Sequence, residues 1–164
     1  MVGAEALSKY IYAVNNTFTF STRKGVLMLE IYSDGASRGN PGPSAIAFII
    51  LDEDDKVLEK DSQYLGIGTN NQAEYQALIS ALEHASTFSS REVTCYLDSE
   101  LVVKQLNGEY EVRKPELRAL WRKAMALKMR FSKINVRWVP RTDRHIQEVD
   151  CLVNQLLDDK ASQQ

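Results

Sequence analysis

Apolar and polar positions from residue 26 onward fall into blocks with two different spacings. Val26 to Ser33 alternates as a strand does and ends at Asp34-Gly35. Ser44 to Leu51 is a nearly continuous apolar run, suited to a buried strand, and Lys56 to Leu65 reads as a third strand. The connections Gly39-Asn40-Pro41-Gly42-Pro43 and Asp52-Glu53-Asp54-Asp55 are turn sequences, so these blocks predict an antiparallel meander. After Thr69 the spacing becomes helical. Ala73, Ala77, Leu78, Ala81 and Leu82 share one face of a helix running to about Ala85, with Thr69 or Asn70 as its cap.

The remaining blocks alternate in type. Val93 to Leu97 is a short strand, and Glu100 to Leu106 a short helix closed by Asn107-Gly108. Pro115 opens a longer helix reaching about Phe131. Ile134, Val136 and Trp138 alternate as a strand, and a last helix covers Gln147 to about Leu157. The order β-β-β-α-β-α-α-β-α predicts an α/β domain with a mixed sheet flanked by helices. Residues 1–25 stand apart as an N-terminal extension, leaving 26–164 as the main domain. In the extension, Ala4, Leu7, Ile11 and Val14 have helical spacing, and Thr17 to Ser21 alternates as a short strand or extended arm.

Composition adds limits. The 164 residues suit one domain, and 44% hydrophobic with 26% charged residues is ordinary for a globular chain. The longest apolar run, Ala45 to Leu51, is far short of a membrane span, and the N-terminus shows no signal-peptide pattern. A cytoplasmic protein with two structural thiols is expected; sequence alone leaves a Cys95–Cys151 disulfide open. Charge is segregated. Leu51 to Glu100 carries 11 acidic and 3 basic residues, whereas Arg113 to Arg144 carries 11 basic residues against Glu116 and Asp143. A local cationic field attracts a polyanion even on a chain of net charge −2, although a solvated helix face gives the same pattern. Asp52 to Asp55 is read as a solvated turn.

Four carboxylates lie at element ends or in apolar surroundings: Asp34 after the first strand, Glu74 in the first turns of a helix, Asp98 after a strand, and Asp150 at the start of the last helix. Acids gathered at one sheet end repel, and divalent cations relieve that repulsion; hard oxygen ligands favour Mg²⁺ or Mn²⁺. Each acid taken singly has a plainer alternative. Asp34 and Asp98 can cap a turn or helix, Glu74 can complement a helix dipole, and Asp150 can pair with Arg141 or Arg144.

Four stretches resemble type 1 ribonuclease H over about residues 27–160. They are Tyr32-Ser33-Asp34-Gly35-Ala36-Ser37-Arg38-Gly39-Asn40-Pro41-Gly42-Pro43, Thr69-Asn70-Asn71-Gln72-Ala73-Glu74-Tyr75-Gln76-Ala77-Leu78, Tyr96-Leu97-Asp98-Ser99-Glu100-Leu101-Val102, and Trp138-Val139-Pro140-Arg141 followed by Val149-Asp150. The resemblance implies an RNase H-like fold, a five-stranded mixed sheet of order 3-2-1-4-5 with helices on both faces. It implies that Asp34, Glu74, Asp98 and Asp150 are catalytic and hold two Mg²⁺ ions, with Mn²⁺ as a substitute. The implied reaction is endonucleolytic hydrolysis of the RNA strand of an RNA–DNA hybrid, leaving 5′-phosphate and 3′-hydroxyl ends. Gly35, Asn40, Thr69, Asn70, Asn71 and Ser99 fall at substrate-binding positions. Glu74 is placed to accept a ribose 2′-hydroxyl, the group that separates RNA from DNA. Neutral donors on backbone and sugar read no bases, so broad sequence tolerance is expected.

Three departures shape the expectation. Asn107 to Pro115 leaves no room for the basic protrusion of many members, as in shorter archaeal-type forms, and double-stranded RNA becomes an additional candidate substrate. The usual loop histidine is missing, with His145, Arg141 and Arg144 as candidates to replace it. Ile146 stands where the family often has Asn, four residues before Asp150. A non-catalytic nucleic-acid-binding module of the same fold is the alternative, and no membrane or obligate protein partner is evident.

Overall fold

The computed structural model describes residues 26–88 and 90–163. The proposed helix and arm within residues 1–25 lie outside the described residues. Five strands and four helices follow in the expected order. They are β1 (Val26–Ser37), β2 (Gly42–Asp52), β3 (Val57–Gly68), α1 (Asn70–Ala85), β4 (Ser90–Leu97), α2 (Glu100–Leu106), α3 (Pro115–Lys128), β5 (Ile134–Trp138) and α4 (Arg144–Ser162). The strands form one sheet of order β3-β2-β1-β4-β5. β1, β2 and β3 are the antiparallel meander, and β4 and β5 add in parallel to β1.

Strand alternation sorts the side chains between two layers. Leu29 and Ile31 of β1, Phe48 and Ile50 of β2, and Val93, Cys95 and Leu97 of β4 pack under α1, α2 and α3. Tyr32, Ala45, Ala47, Ile49 and Leu51 face the other way, onto Ile146, Val149, Val153 and Leu157 of α4. Those four α4 positions repeat at helical spacing, so a single stripe closes the second core layer. β2 is buried on both faces, which explains its unbroken apolar sequence.

Several predicted boundaries move. Asp34 does not end its strand; Gly35, Ala36 and Ser37 continue pairing with Ile46, Ala45 and Ser44. α3 stops at Lys128 rather than near Phe131. α4 begins at Arg144, three residues earlier than expected, because the Asp143 side chain accepts the backbone N–H groups of His145 and Ile146. Asp150 therefore sits in the second turn of α4, not at its start. Thr69 is the α1 cap, in a reciprocal arrangement with Gln72 that satisfies two end donors. Cys95 is buried and Cys151 exposed, and both are free thiols, which removes the disulfide. Among the described residues no helix is long and apolar enough to cross a membrane.

Candidate metal centre

β1 and β4 run side by side in parallel until Tyr32 pairs with Tyr96, then part. β1 continues with β2, whereas β4 turns into α2. The fork is a crevice at the carboxyl end of parallel strands, where α/β sheets place their ligands. Asp34 follows Tyr32 by two residues on β1 and so shares its face, while Asp98 is the first residue after β4, where the chain leaves the sheet for α2.

Glu74 arrives from the opposite layer. It lies on α1, whose first turn presses against β1 at Gly35. A Cβ at residue 35 would sit 2.2 Å from the Ala73 carbonyl oxygen and 2.7 Å from the Glu74 nitrogen. Only a residue without a side chain permits that approach. The result is that Asp34, Glu74 and Asp98 each offer a carboxylate oxygen within 4.8 Å of the others. Asp150 is not in that trio but lies close enough for its charge to raise the Asp34 pKa.

Both Asp34 and Glu74 are only 4% exposed. Burial, then the negative charges of Asp98 and Asp150, pushes the Asp34 carboxyl up to about 7. Burial, then Asp34 and Asp98, holds Glu74 well above the usual carboxylate range. Two buried oxygens, Glu74 Oε2 and Asp98 Oδ1, have no hydrogen-bond partner. Unpaired buried acceptors are costly, and four converging acids more so. Divalent cations with oxygen ligands remove both costs, so the donor set fits such ions. The positive charge the chain itself brings is Arg141, whose Nε donates to Asp98 Oδ2 at 3.0 Å. Its side chain is 80% exposed while that of Asp98 is 5% exposed.

The other predicted residues divide. Asn40 Oδ1 accepts the Asn70 N–H at 3.2 Å, and Asn70 Oδ1 accepts the Ser37 N–H at 3.3 Å. The turn after β1 and the start of α1 are thus tied together beside the acids. Thr69 caps α1 and Ser99 caps α2, accepting the Val102 N–H. Asn71 is half-buried on the first turn of α1.

His145 is not brought to the carboxylate trio. Its Nε2 faces Asp55 Oδ1 at 2.9 Å, its Nδ1 lies 4.0 Å from Glu148, and its ring tilts against Tyr32 at 4.6 Å. Arg144 bonds Asp55 as well. These contacts, the His145 bond foremost, hold the Asp55 carboxyl below its ordinary value. Sequence reasoning passed over Asp55 as a solvated turn residue; nothing local marks it, since its partners are 89 and 90 residues away. His84 bonds Glu59 and packs on Phe48. In the basic segment, Arg118 donates to the Val112 carbonyl and Lys123 pairs with Glu83, so both are engaged locally.

Comparison with known proteins agrees with this architecture. The reverse transcriptase-like family model matches residues 32–155. Ribonuclease HI of Halobacterium salinarum is 41% identical over 131 residues, covering 80% of this chain and 65% of that protein. The solved N-terminal RNase H domain of a Mycobacterium tuberculosis protein superposes with TM-score 0.78 at 38% identity, covering 84% of this chain and 98% of that one. LC11 ribonuclease H1, solved in complex with an RNA/DNA hybrid, gives TM-score 0.74 at 38% identity and covers 81% of this chain and 99% of that one. The chain spans 65% of the halobacterial protein and 32% of the full mycobacterial bifunctional protein. With the 3-2-1-4-5 sheet, the acids at its fork and these likenesses together, the chain belongs to the ribonuclease H group of the reverse transcriptase-like family.

Proposed function

We propose that this protein is a divalent-metal-dependent endoribonuclease that hydrolyses the RNA strand of RNA–DNA hybrids. The observation that carries the reading is the convergence of Asp34, Glu74 and Asp98 within 4.8 Å, with Asp150 beside them. A hybrid bound to a relative of the same fold supports the substrate class.

Asp34, Glu74, Asp98 and Asp150 would hold the ions, with Asp34 in the middle of the group. Two Mg²⁺ ions, or Mn²⁺ in their place, supply water activation and charge neutralisation at a phosphodiester. The chain's own residues do the positioning. Glu74 Oε2, buried and unpaired, is available to an ion or a ribose hydroxyl. The exposed Arg141 guanidinium is placed at the rim, where a substrate phosphate approaches. Asn40 and Asn70 brace one another, so the short loop presents a fixed set of amides to backbone and sugar. Directed at backbone and sugar, these groups fix position without reading bases, and cleavage with little sequence preference is expected.

The connection from α2 to α3 covers only residues 107–114, and no basic protrusion is built there. This favours contacts confined to the body of the domain, and double-stranded RNA as a second, weaker substrate. The test is one assay with labelled hybrid, RNA duplex and DNA duplex, with and without Mg²⁺. Metal-dependent cutting of the hybrid's RNA strand is expected. Hybrid bound at low salt but left intact would instead establish a binding module.

A further inference from the structure

Three rings stack across the sheet on the α4 side. Tyr32 of β1 lies face to face with Tyr96 of β4, centroids 4.8 Å apart and planes 19° apart. His145 of α4 packs on the same Tyr32 at 4.6 Å. Each ring lies a short distance before one acid of the centre: Tyr32 precedes Asp34 by two residues on β1, Tyr96 precedes Asp98 by two, with Asp98 the first residue after β4, and His145 precedes Asp150 by five on α4. On β1, residues two apart share a face, so Tyr32 and Asp34 stand on the same side, while the helical backbone of α4 links the placement of His145 to that of Asp150.

The stack is fixed at both ends. The Tyr96 hydroxyl donates to Glu30 Oε1 at 3.2 Å. At the other end Asp55 holds His145 Nε2 and the Arg144 guanidinium together. Asp55 has φ +62°, a conformation that disfavours side chains and is retained here at the tip of the β2–β3 turn. His145 is thereby buried to 12% exposure, whereas the arginine beside it stays in solvent.

We propose that the Tyr32–Tyr96–His145 stack, clamped from outside by Asp55, sets the position of Asp150 relative to Asp34 and Asp98, making His145 and Asp55 positioning residues for the metal centre. This rests on the metal-centre reading above and adds the part of the chain that holds the fourth acid in register. It also gives His145 a role that needs no proton transfer at the scissile bond. Residues that orient metal ligands from outside typically matter about 10–100-fold in affinity or rate.

The test is calorimetric titration of the whole chain with Mn²⁺ alone, alongside kcat and KM on hybrid. The variants are Asp55→Gly, His145→Ala and His145→Phe. Asp55→Gly removes the clamp at an exposed turn whose φ suits glycine, so the fold survives it. Asp55→Gly and His145→Ala are expected to weaken Mn²⁺ binding about 10-fold and to lower kcat in step, with KM little changed. His145→Phe keeps a ring and the Arg144–Asp55 contact but cannot bond Asp55, and is expected to fall between His145→Ala and the parent in both. Parent-like Mn²⁺ affinity in Asp55→Gly and His145→Ala overturns the proposal. So does a His145→Phe protein with normal Mn²⁺ affinity and no turnover, which makes the imidazole itself the reacting group. A parent protein whose Mn²⁺ binding is absent or indifferent to Asp34→Asn overturns the metal-centre reading, and this inference with it.

Discussion

Gly35 of β1 and Ala73 of α1 stand closer than any side chain allows, with the Ala73 carbonyl oxygen 2.2 Å from where a Cβ on residue 35 would lie. This contact brings Glu74, from one layer of the fold, to Asp34 and Asp98, from the other. Gly35→Ala must push α1 off β1. The expected outcome is destabilisation of at least about 3 kcal/mol, as for severe overpacking, with activity lost beyond what partial unfolding explains. Chemical denaturation and a cleavage assay on the folded fraction check it; a fully active Gly35→Ala protein contradicts it.

Metal-free stability falls as pH rises through neutrality. Asp34 titrates at about 7 in the folded protein, against 3.8 for an ordinary aspartate, and Glu74 is raised as well. Between those values the unfolded chain has released its protons and the folded one has not. Raising pH therefore favours unfolding from about pH 4 up to the folded value near 7. Asp34→Asn removes the penalty and is expected to stabilise the metal-free protein at pH 8 by roughly 2–4 kcal/mol. Thermal melts of both proteins in chelator at pH 5 and pH 8 measure this. A variant no more stable than the parent at pH 8 contradicts it.

Arg141 donates to Oδ2 of Asp98, one of the carboxylates proposed to hold an ion. Arg141→Ala is expected to tighten Mn²⁺ binding in the absence of nucleic acid by a few-fold, because a competing cation is gone. The same change is expected to raise KM for hybrid, because a rim charge facing phosphate is gone. Weaker Mn²⁺ binding in the variant assigns Arg141 to orienting Asp98 instead.

The two thiols differ in access. Cys95 is fully buried in β4, and burial pushes its thiol up to about 12; Cys151 is exposed on α4. One reactive thiol is expected by colorimetric titration of the native protein and two after denaturation. Two reactive thiols in the native state contradict the placement of β4 in the core.

The sequence carried the element order in full, because each block has its own spacing and its own stop. Alternation ended at turn residues around Asp52–Asp55, and Pro115 and Asn107-Gly108 bounded helices as local rules require. It also carried the four acids, through motif resemblance rather than periodicity. Contacts between distant residues were not legible. Gly35 was expected at a substrate-binding position, and the second layer pressing on it has no local signal. Asp55 looked like one more solvated carboxylate, and only folding brings α4 to it. The α4 start expected at Gln147 lies three residues late, because Asp143 caps the helix through the backbone N–H groups of His145 and Ile146.

The carboxylates at the fork are proposed to form a working nuclease centre. The most direct measurement is incubation of an end-labelled RNA–DNA hybrid with Mg²⁺ and either the parent protein or Asp34→Asn, with the RNA product ends identified. Internal cuts in the RNA strand, 5′-phosphate and 3′-hydroxyl ends, dependence on the metal, and no cutting by Asp34→Asn are expected. An intact hybrid with the parent protein and Mg²⁺, or equal cutting by Asp34→Asn, contradicts it.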